Sequence, residues 1–276
     1  MNKNAIKSAL NQFSAVVITG GSSGIGESFF NAIHSLNDNA LYCNFSRSKP
    51  KIIESKNGFI HFPCDFSITQ ELNSQCSKLI NILTEKGGDE KILLINNSGF
   101  GTYGQFPEPN SESQMNMLAV NICAPVYLTA RLMPLLIKRG GVILNVASTA
   151  AFQPLPYMST YAASNAFLMH WSLALNEDLK DTGVSTLTLC PGPTKTNFFV
   201  RAGFIESPMS YYPGQSSEEV VNTALLALVK GKTLTVSGWI NRLLVFFSSK
   251  LPKLIVTKMA AIGLRLARLE QFKKDQ

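Results

Sequence analysis

Four glycines lie in the segment TGGSSGIGES, residues 19–28, where one short apolar run ends and another apolar stretch begins, and three of them form a recognisable spacing. Gly20, Gly24 and Gly26 have the spacing GxxxGxG, which differs from the GxGxxG of the general dinucleotide fingerprint. Glycines allow a tight turn and a close approach of the backbone to a ligand. A helix beginning here would offer unpaired N–H groups and a positive dipole end to a pyrophosphate. The pattern favours a dinucleotide-binding turn over an ordinary strand–helix loop.

The residues after the second apolar run bear on which dinucleotide would bind. This segment reads FSRSK and contains Ser46 and Arg47 but no carboxylate. In dinucleotide-binding folds an acidic side chain here binds the ribose 2′-hydroxyl, whereas an arginine accommodates a 2′-phosphate. We therefore predict NADP as the cofactor, with NADPH favoured over NADH. The alternative for Arg47 is a solvated loop charge.

The elements that would position these residues alternate along the chain. Seven short apolar runs are predicted to be strands, at 15–19, 40–45, 59–62, 91–96, 141–147, 184–190 and 233–236. Amphipathic segments near 25–36, 68–86, 112–138, 160–181 and 217–230 are predicted to be helices. Several strands are continuously apolar, which is typical of strands covered on both faces. The alternation predicts an α/β fold with a doubly wound parallel sheet and helices on both faces.

Together with the glycine turn, further motifs make the chain resemble the short-chain dehydrogenase/reductase family, classical type, over about residues 14–236. INNSG (95–99) is similar to the family's NNAG element, with Ser98 in place of alanine. Asn121 in LAVNICAP is similar to the family's helix asparagine, and CPGPTKT (190–196) to the loop that closes on the nicotinamide. The fold implied by this resemblance is a seven-stranded Rossmann-type sheet.

Two more residues match the family's reacting groups. Ser148 in NVAST resembles the catalytic serine and Tyr161 the catalytic tyrosine, 13 residues apart, and Ser148 follows Asn121 by 27 residues. The resemblance implies that Ser148 hydrogen-bonds a substrate carbonyl while Tyr161 gives or takes the proton. Asp65 resembles the residue that contacts the adenine; its alternative is a helix N-cap, because ITQEL follows. The implied cofactor-binding set is Gly20, Ser22, Ser23, Gly24, Ile25, Gly26, Ser46, Arg47, Asp65, Asn97, Ser98, Gly99, Tyr161, Pro191, Gly192, Thr194 and Thr196, with no metal.

One member of the family's constellation is replaced. In YAASN (161–165) the residue at i+4 from Tyr161 lies one helical turn away on the same face, where the family has lysine. Here it is Asn165, which can still hydrogen-bond a ribose hydroxyl but carries no charge. We therefore expect proton transfer to be impaired while cofactor binding largely survives. Lys195 could substitute for the lysine, although a solvated loop position is the better interpretation for it.

Composition limits the function classes. The net charge of +7 is concentrated in residues 237–276, which carry +6, so a nucleic-acid-binding domain is not supported. Five scattered cysteines without a CxxC pair, four of them among apolar residues, predict buried thiols in a reducing compartment, the cytoplasm. No run of about 18 apolar residues is present, so we expect no membrane-spanning helix.

Two stretches indicate contacts with other molecules. Residues 141–176 contain no Asp, Glu, Lys or Arg, which predicts a helix that packs on another subunit, in a homodimer or homotetramer, or lines a pocket. Residues 1–236 are predicted to form the dinucleotide-binding and catalytic domain, and 237–276 a basic amphipathic extension of two helices divided by Pro252. Ordinary packing is the first interpretation of this extension; a pocket cap, a subunit contact and a peripheral membrane contact are the others.

Two functional hypotheses follow. The first is an NADP(H)-dependent oxidoreductase that interconverts a carbonyl and an alcohol on an apolar small molecule, because segment 194–216 is rich in aromatic residues (Phe198, Phe199, Phe204, Tyr211 and Tyr212). The second is a nucleotide-binding sensor or scaffold protein whose chemistry lapsed when Asn165 appeared. The presence of Asn121, Ser148 and Tyr161 favours the enzyme.

Overall fold

The structure is a computed structural model that describes residues 3–50, 55–106, 108–204 and 214–274, with side chains as far as Arg265. Tyr211 and Tyr212, which the sequence analysis placed in the pocket, lie outside the described residues.

Seven parallel strands form one sheet in the order β3-β2-β1-β4-β5-β6-β7. The order reverses between β1 and β4, which makes this pair the topological switch point of the sheet. All seven strands predicted from the sequence are confirmed. Their bounds are β1 Phe13–Thr19, β2 Leu41–Ser46, β3 Phe59–Pro63, β4 Lys91–Asn96, β5 Gly141–Val146, β6 Val184–Cys190 and β7 Leu234–Val236.

Ten α-helices are described, and they include the five predicted between the strands and the two predicted after β7. Their bounds are α1 Lys3–Leu10, α2 Gly24–His34, α3 Thr69–Lys86, α4 Ser111–Leu118, α5 Ala124–Arg139, α6 Ser159–Asp178, α7 Phe198–Arg201, α8 Ser217–Val229, α9 Trp239–Lys250 and α10 Lys253–Lys274. Helix α1 was not predicted; it buries Ile6 and Leu10 beside α8.

Helices cover both faces of the sheet, which explains the continuously apolar strands. One core layer joins the sheet to α3 and α5 through side chains such as Leu79 and Leu132. The other joins it to α1, α2 and α8 through side chains such as Phe29 and Val220. The strands are thereby held in a rigid frame, and the loops at their carboxyl ends carry the candidate site.

Helices α4 and α5 form one continuous rod through a π-helical segment, Ala119–Cys123. Within the described ranges this rod is the single helix long and apolar enough to cross a membrane by length and composition, which the sequence analysis did not expect. The most apolar 18-residue stretch of this rod is 44% buried inside the protein, and Leu128, Leu132 and Leu136 pack in the core. This burial identifies it as a core helix of the fold.

Helix α6 presents the charge-free surface expected from the sequence. Its exposed positions Ala163, Phe167, His170 and Ala174 recur at helical spacing, and Phe167 is 43% exposed. This face is suited to contact a second subunit, and the oligomeric state stays a prediction.

Candidate active site

The predicted site residues lie together at the carboxyl edge of the sheet. Gly20 follows β1, Asn97 follows β4, Ser148 follows β5 and Pro191 follows β6. Ligands of open α/β sheets bind at this edge, beside the switch point. The fold therefore brings together four motifs that are far apart in sequence.

The glycine-rich turn has the backbone that its sequence predicts. Gly20 and Gly24 have φ values of +71° and +59°, which residues with a Cβ rarely adopt. A Cβ on Gly26 would overlap the carbonyl oxygen of Gly20 and lie 2.5 Å from Asn97 Nδ2. Each of these three positions therefore requires glycine for the turn to close.

The start of α2 fits a pyrophosphate. Helix α2 begins at Gly24, and its N-cap residue Ser23 makes no side-chain hydrogen bond to the first turn. Ser22, Ser23 and Ile25 are half-buried beside the turn. The helix thus offers N–H groups that no side chain caps, at the positive end of its dipole. These residues would hold the phosphates of a bound dinucleotide.

The loop after β4 is tied directly to this turn. Thr19 Oγ1 accepts hydrogen bonds from the backbone N–H groups of Asn97 and Ser98, both at 2.9 Å, and Asn97 Nδ2 donates to Thr19 O at 2.9 Å. A Cβ on Gly99 would lie 3.3 Å from Asn121 Oδ1. The INNSG motif therefore supports the glycine turn and gives close access to the site.

The residues predicted to contact the ribose 2′ position of a bound dinucleotide are Ser46, the last residue of β2, and Arg47, which follows it. The Ser46 hydroxyl is already used, because it accepts from Asn44 Nδ2 (2.8 Å) and donates to Ser48 O (2.7 Å). The Arg47 side chain is 76% exposed, and its Nη1 lies 3.8 Å from Asp65 Oδ2. An exposed pair of this kind contributes at most about 1 kcal/mol. Arg47 is therefore available to contact an anion at this edge.

Asp65 has a local structural role of its own. Its Oδ1 accepts from the backbone N–H and the hydroxyl of Ser67, at 2.9 and 2.7 Å. Burial raises the pKa of the Asp65 carboxyl, but these hydrogen bonds and the Arg47 charge outweigh it and leave the pKa below its usual value. Helix α3 starts only at Thr69, with Ile68 as its N-cap, so the alternative of Asp65 as N-cap is wrong.

Asn44 is a supporting residue that the sequence analysis missed. It is fully buried in β2, and its Oδ1 accepts from the backbone N–H of Gly21 at 2.9 Å. Its amide also donates to Ser46 Oγ at 2.8 Å, so one side chain links the glycine turn to the end of β2. A single amide inside the apolar run ALYCNF was the available signal.

The two hydroxyl residues converge beside the sheet edge. Ser148 lies two residues after the end of β5, and its Oγ accepts from the backbone N–H of Ala150 at 3.1 Å. Tyr161 lies in the first turn of α6. Burial raises the pKa of the Tyr161 phenol above its ordinary value of 10.0, and the near thiol of Cys190 adds to this rise. Hydrogen bonding with Ser148 and Asn165 opposes it.

No cation acts on the Tyr161 phenol among the described residues. Asn165 is 6% exposed, and its Nδ2 donates to the backbone oxygen of Tyr161 at 2.8 Å. Its amide is also close enough to lower the pKa of the phenol by hydrogen bonding. Lys195 is exposed on its loop. The position one turn after Tyr161 thus supplies a neutral donor.

Asn121 holds the loop after β4 against α6. It lies in the π-helical segment, and its amide forms a paired contact with Phe100, donating to the carbonyl oxygen at 2.9 Å and accepting from the N–H at 3.1 Å. Asn121 Nδ2 also lies 3.2 Å from Ser164 Oγ. π-Helical segments often occur at functional sites because they redirect side chains. Asn121 is here a positioning residue.

The loop after β6 closes the remaining side of the site. Pro191 is buried, and its carbonyl oxygen accepts from the backbone N–H of Thr149 at 2.8 Å. Thr194 Oγ1 donates to Gly192 O at 2.9 Å. A Cβ on Gly24 would lie 3.2 Å from Thr196 Cγ2, so this loop reaches the glycine turn. The CPGPTKT motif is therefore placed where a bound cofactor would be covered.

Aromatic side chains cluster next to Tyr161. The rings of Tyr161 and Phe198 have centroids 5.3 Å apart, and Phe199 packs edge-on between Phe198 and Phe204 at 5.4 Å from each. Tyr103, which the sequence analysis missed, stacks on Phe204 at 4.0 Å. This aromatic wall is apolar and adjoins the phenol that would exchange a proton.

The described residues contain no group of three or more His, Cys, Asp or Glu side chains placed to hold a metal ion. The cysteines are free thiols, of which Cys43, Cys64, Cys76 and Cys190 are buried and Cys123 is exposed. What the arrangement offers is therefore a phosphate-binding turn, a pair of hydroxyls and an apolar wall.

Comparison with known proteins agrees with this geometry. A family model described as short chain dehydrogenase matches residues 14–203. The chain belongs to the short-chain dehydrogenase family. Its fold is similar to that of a short-chain dehydrogenase from Sphingobium yanoikuyae solved in complex with NADPH, with a TM-score of 0.72, 24% identity, and coverage of 86% of this chain and 96% of that one.

Two curated relatives of this chain have names that describe an activity. A very-long-chain 3-oxoacyl-CoA reductase of Neurospora crassa is 34% identical over 180 residues, which cover 61% of this chain and 52% of the relative. The match thus spans about half the length of that protein. Ketoacyl reductase HetN of a Nostoc species is 29% identical over 229 residues, covering 80% of this chain and 77% of the relative.

Proposed function

We propose that the protein is an NADPH-dependent oxidoreductase that interconverts a carbonyl and an alcohol on an apolar small molecule. The observation that carries this proposal is the meeting of Tyr161 and Ser148 between a phosphate-binding turn and an aromatic wall. A nicotinamide dinucleotide, when bound, supplies or accepts the hydride.

The protein's own residues handle the proton and the developing charge. Because burial raises the pKa of Tyr161, its phenol is protonated at neutral pH and can donate to the carbonyl oxygen of a substrate. The Ser148 hydroxyl donates a hydrogen bond to the same oxygen and stabilises its negative charge. The Asn165 amide stabilises the phenolate by hydrogen bonding alone, so proton transfer is slower than with a cation at that position.

The preference for NADPH rests on charge. Arg47 and Lys49 are exposed cations after the end of β2, and the 3.8 Å pairing of Arg47 with Asp65 is weak enough to be replaced by a contact with a 2′-phosphate. Solved structures of similar fold contain NADPH in one case and NAD or NADH in others, so the preference rests on the charge after β2.

The substrate proposal rests on the aromatic wall and on the names of the relatives. Half-buried Phe198 and Phe199 lie beside Tyr161 and pack on buried Phe204, and this apolar surrounding suits an acyl chain. Two relatives are named as oxoacyl or ketoacyl reductases. We therefore propose 3-oxoacyl thioesters as the first class of ketone to test. We also propose that the protein works as a homodimer or homotetramer in the cytoplasm.

The test is carbonyl-dependent oxidation of NADPH by the wild type, Tyr161→Phe and Ser148→Ala, with 3-oxoacyl thioesters of increasing chain length. We expect turnover by the wild type and a loss of at least about 10²-fold in either variant. Thermal unfolding of all three proteins controls for folding. The enzymatic function is refuted if the wild type turns over no faster than Tyr161→Phe while still binding NADPH. The protein would then be a nucleotide-binding sensor or scaffold.

A further inference from the structure

Helices α9 and α10 form a pair after β7 whose outward side is apolar and basic. On α9 the exposed residues Trp239, Leu243, Phe246 and Phe247 recur at i, i+4, i+7 and i+8, so they lie on one face. Trp239 is 70% exposed. A soluble helix normally turns such a face toward the core, so the orientation of α9 is inverted.

The opposite side of α9 explains how this orientation is held. The side facing the rest of the protein carries the buried residues Asn241 and Ser248. Asn241 Nδ2 donates to Ser237 O at 2.7 Å, and the side chain of Asn241 occupies the space where Gly192 lacks a Cβ. Lys253 Nζ donates to Phe152 O at 2.8 Å at the start of α10. Small and polar side chains therefore dock the pair onto the site, and the large apolar ones point away.

Helix α10 continues the same pattern. It buries Val256, and Leu264 O accepts from the Tyr103 hydroxyl at 3.1 Å, which ties the helix to the aromatic wall. Its exposed apolar residues include Leu254, which is 79% exposed, and Ile262. The apolar side thus extends over both helices.

The charges on this surface have one sign. Residues 237–265 contain five cations and no Asp or Glu. Arg242, Lys250, Lys258 and Arg265 stand among the exposed apolar residues, whereas Lys253 is turned inward to Phe152 O. An apolar face flanked by cations fits the boundary between the headgroups and the acyl chains of an anionic bilayer. The positive charge complements acidic lipid and would repel a second copy of the same face.

We propose that the exposed side of α9 and α10 is a docking surface for an anionic lipid bilayer. Aromatic and aliphatic side chains enter the headgroup region, and the flanking cations pair with acidic headgroups. Because the inner sides of the two helices contact Gly192 and Tyr103, docking places the site next to the membrane.

The test uses the full chain and vesicles of phosphatidylcholine with or without phosphatidylglycerol. The protein has two tryptophans, so Trp171→Phe leaves Trp239 as the single emitter. We expect binding to the anionic vesicles that weakens with salt, together with a blue shift of Trp239 emission and its quenching by brominated acyl chains. Binding only to neutral vesicles, or no binding, overturns the proposal.

Matched variants separate the two components of the surface. Lys250→Gln and Lys258→Gln should each lower vesicle partitioning about 5-fold, whereas Lys78→Gln, on exposed α3 surface, should leave it unchanged. Phe246→Ser combined with Phe247→Ser should lower it at least about 10-fold without lowering the midpoint of thermal unfolding. Equal effects of Lys78→Gln and Lys250→Gln refute a local docking surface.

Sedimentation tests whether a second copy of this chain, and not a membrane, covers the exposed side of α9 and α10. The proposal is wrong if the wild type does not bind vesicles and the Phe246→Ser, Phe247→Ser double variant dissociates an oligomer. In that case the exposed side of α9 and α10 contacts a second copy of this chain. If neither vesicle binding nor oligomeric state changes, membrane docking is likewise refuted.

Discussion

Replacement of Asn165 by lysine is expected to restore the missing charge beside Tyr161. A cation within about 4–6 Å lowers the pKa of an acid by about 1–3 units, which corresponds to about 1.4–4 kcal/mol in favour of the phenolate. If half of that charge has developed in the transition state, the gain is about 0.7–2 kcal/mol, or roughly 3- to 30-fold in turnover. Full charge development would give about 10- to 1000-fold. We therefore expect kcat to rise by at least about 3-fold and by as much as about 1000-fold.

The pH dependence gives a second measure of the same effect. In the wild type the pKa of Tyr161 lies above 10.0, so the phenol stays protonated to about pH 9. Carbonyl reduction, which needs the protonated phenol, should therefore be flat over that range, while alcohol oxidation, which needs the phenolate, should rise with pH. In Asn165→Lys the rising limb of the oxidation profile should move down by about 1–3 pH units. Initial rates in both directions between about pH 6 and pH 10 supply both profiles.

A neutral control separates charge from size. Asn165→Met introduces a side chain similar in length to lysine but without the ammonium group. It should therefore give neither the faster turnover nor the shifted pH profile. The NADPH dissociation constant should change much less than kcat, because Arg47 and the glycine turn are elsewhere in the site. If Asn165→Lys and Asn165→Met behave alike while both bind NADPH and fold, the electrostatic reasoning is wrong.

Three other changes test the turn, the cofactor preference and the oligomer. Gly26→Ala should lower the free energy of unfolding by about 1–3 kcal/mol and weaken NADPH binding, because its Cβ overlaps the turn. In the same thermal unfolding experiments, Gly263→Ala should raise the free energy of unfolding by up to about 1 kcal/mol, because the space around Gly263 is open. Arg47→Ala should weaken NADPH about 10- to 100-fold in fluorescence titrations and leave NADH unchanged, and equal losses for both would contradict a 2′-phosphate contact. Phe167→Glu should dissociate the oligomer in sedimentation at micromolar concentration, while Ile68→Glu, at the same 43% exposure, should not; a monomeric wild type would count against this interface.

The order of strands and helices could be predicted from the sequence because local patterns encode them. Continuous apolar runs mark strands covered on both faces, and the five helices between them repeat apolar residues at helical spacing. Helix α1 escaped prediction because it has only eight residues and two buried side chains, too few for a clear period. The π-helical segment around Asn121 escaped because the apolar period of the surrounding helices runs through it without interruption.

Residue types and their spacing along the chain were enough to predict the fold class, the glycine turn and the groups at the candidate site. The contacts that support these groups could be seen only in the folded protein. Asn44 reaches Gly21 across 23 residues, and Asn241 fits against Gly192 across 49, contacts that no local pattern specifies. The structure also decided which side of α9 faces outward, because an amphipathic pattern fixes two faces of a helix but packing selects the one that is buried.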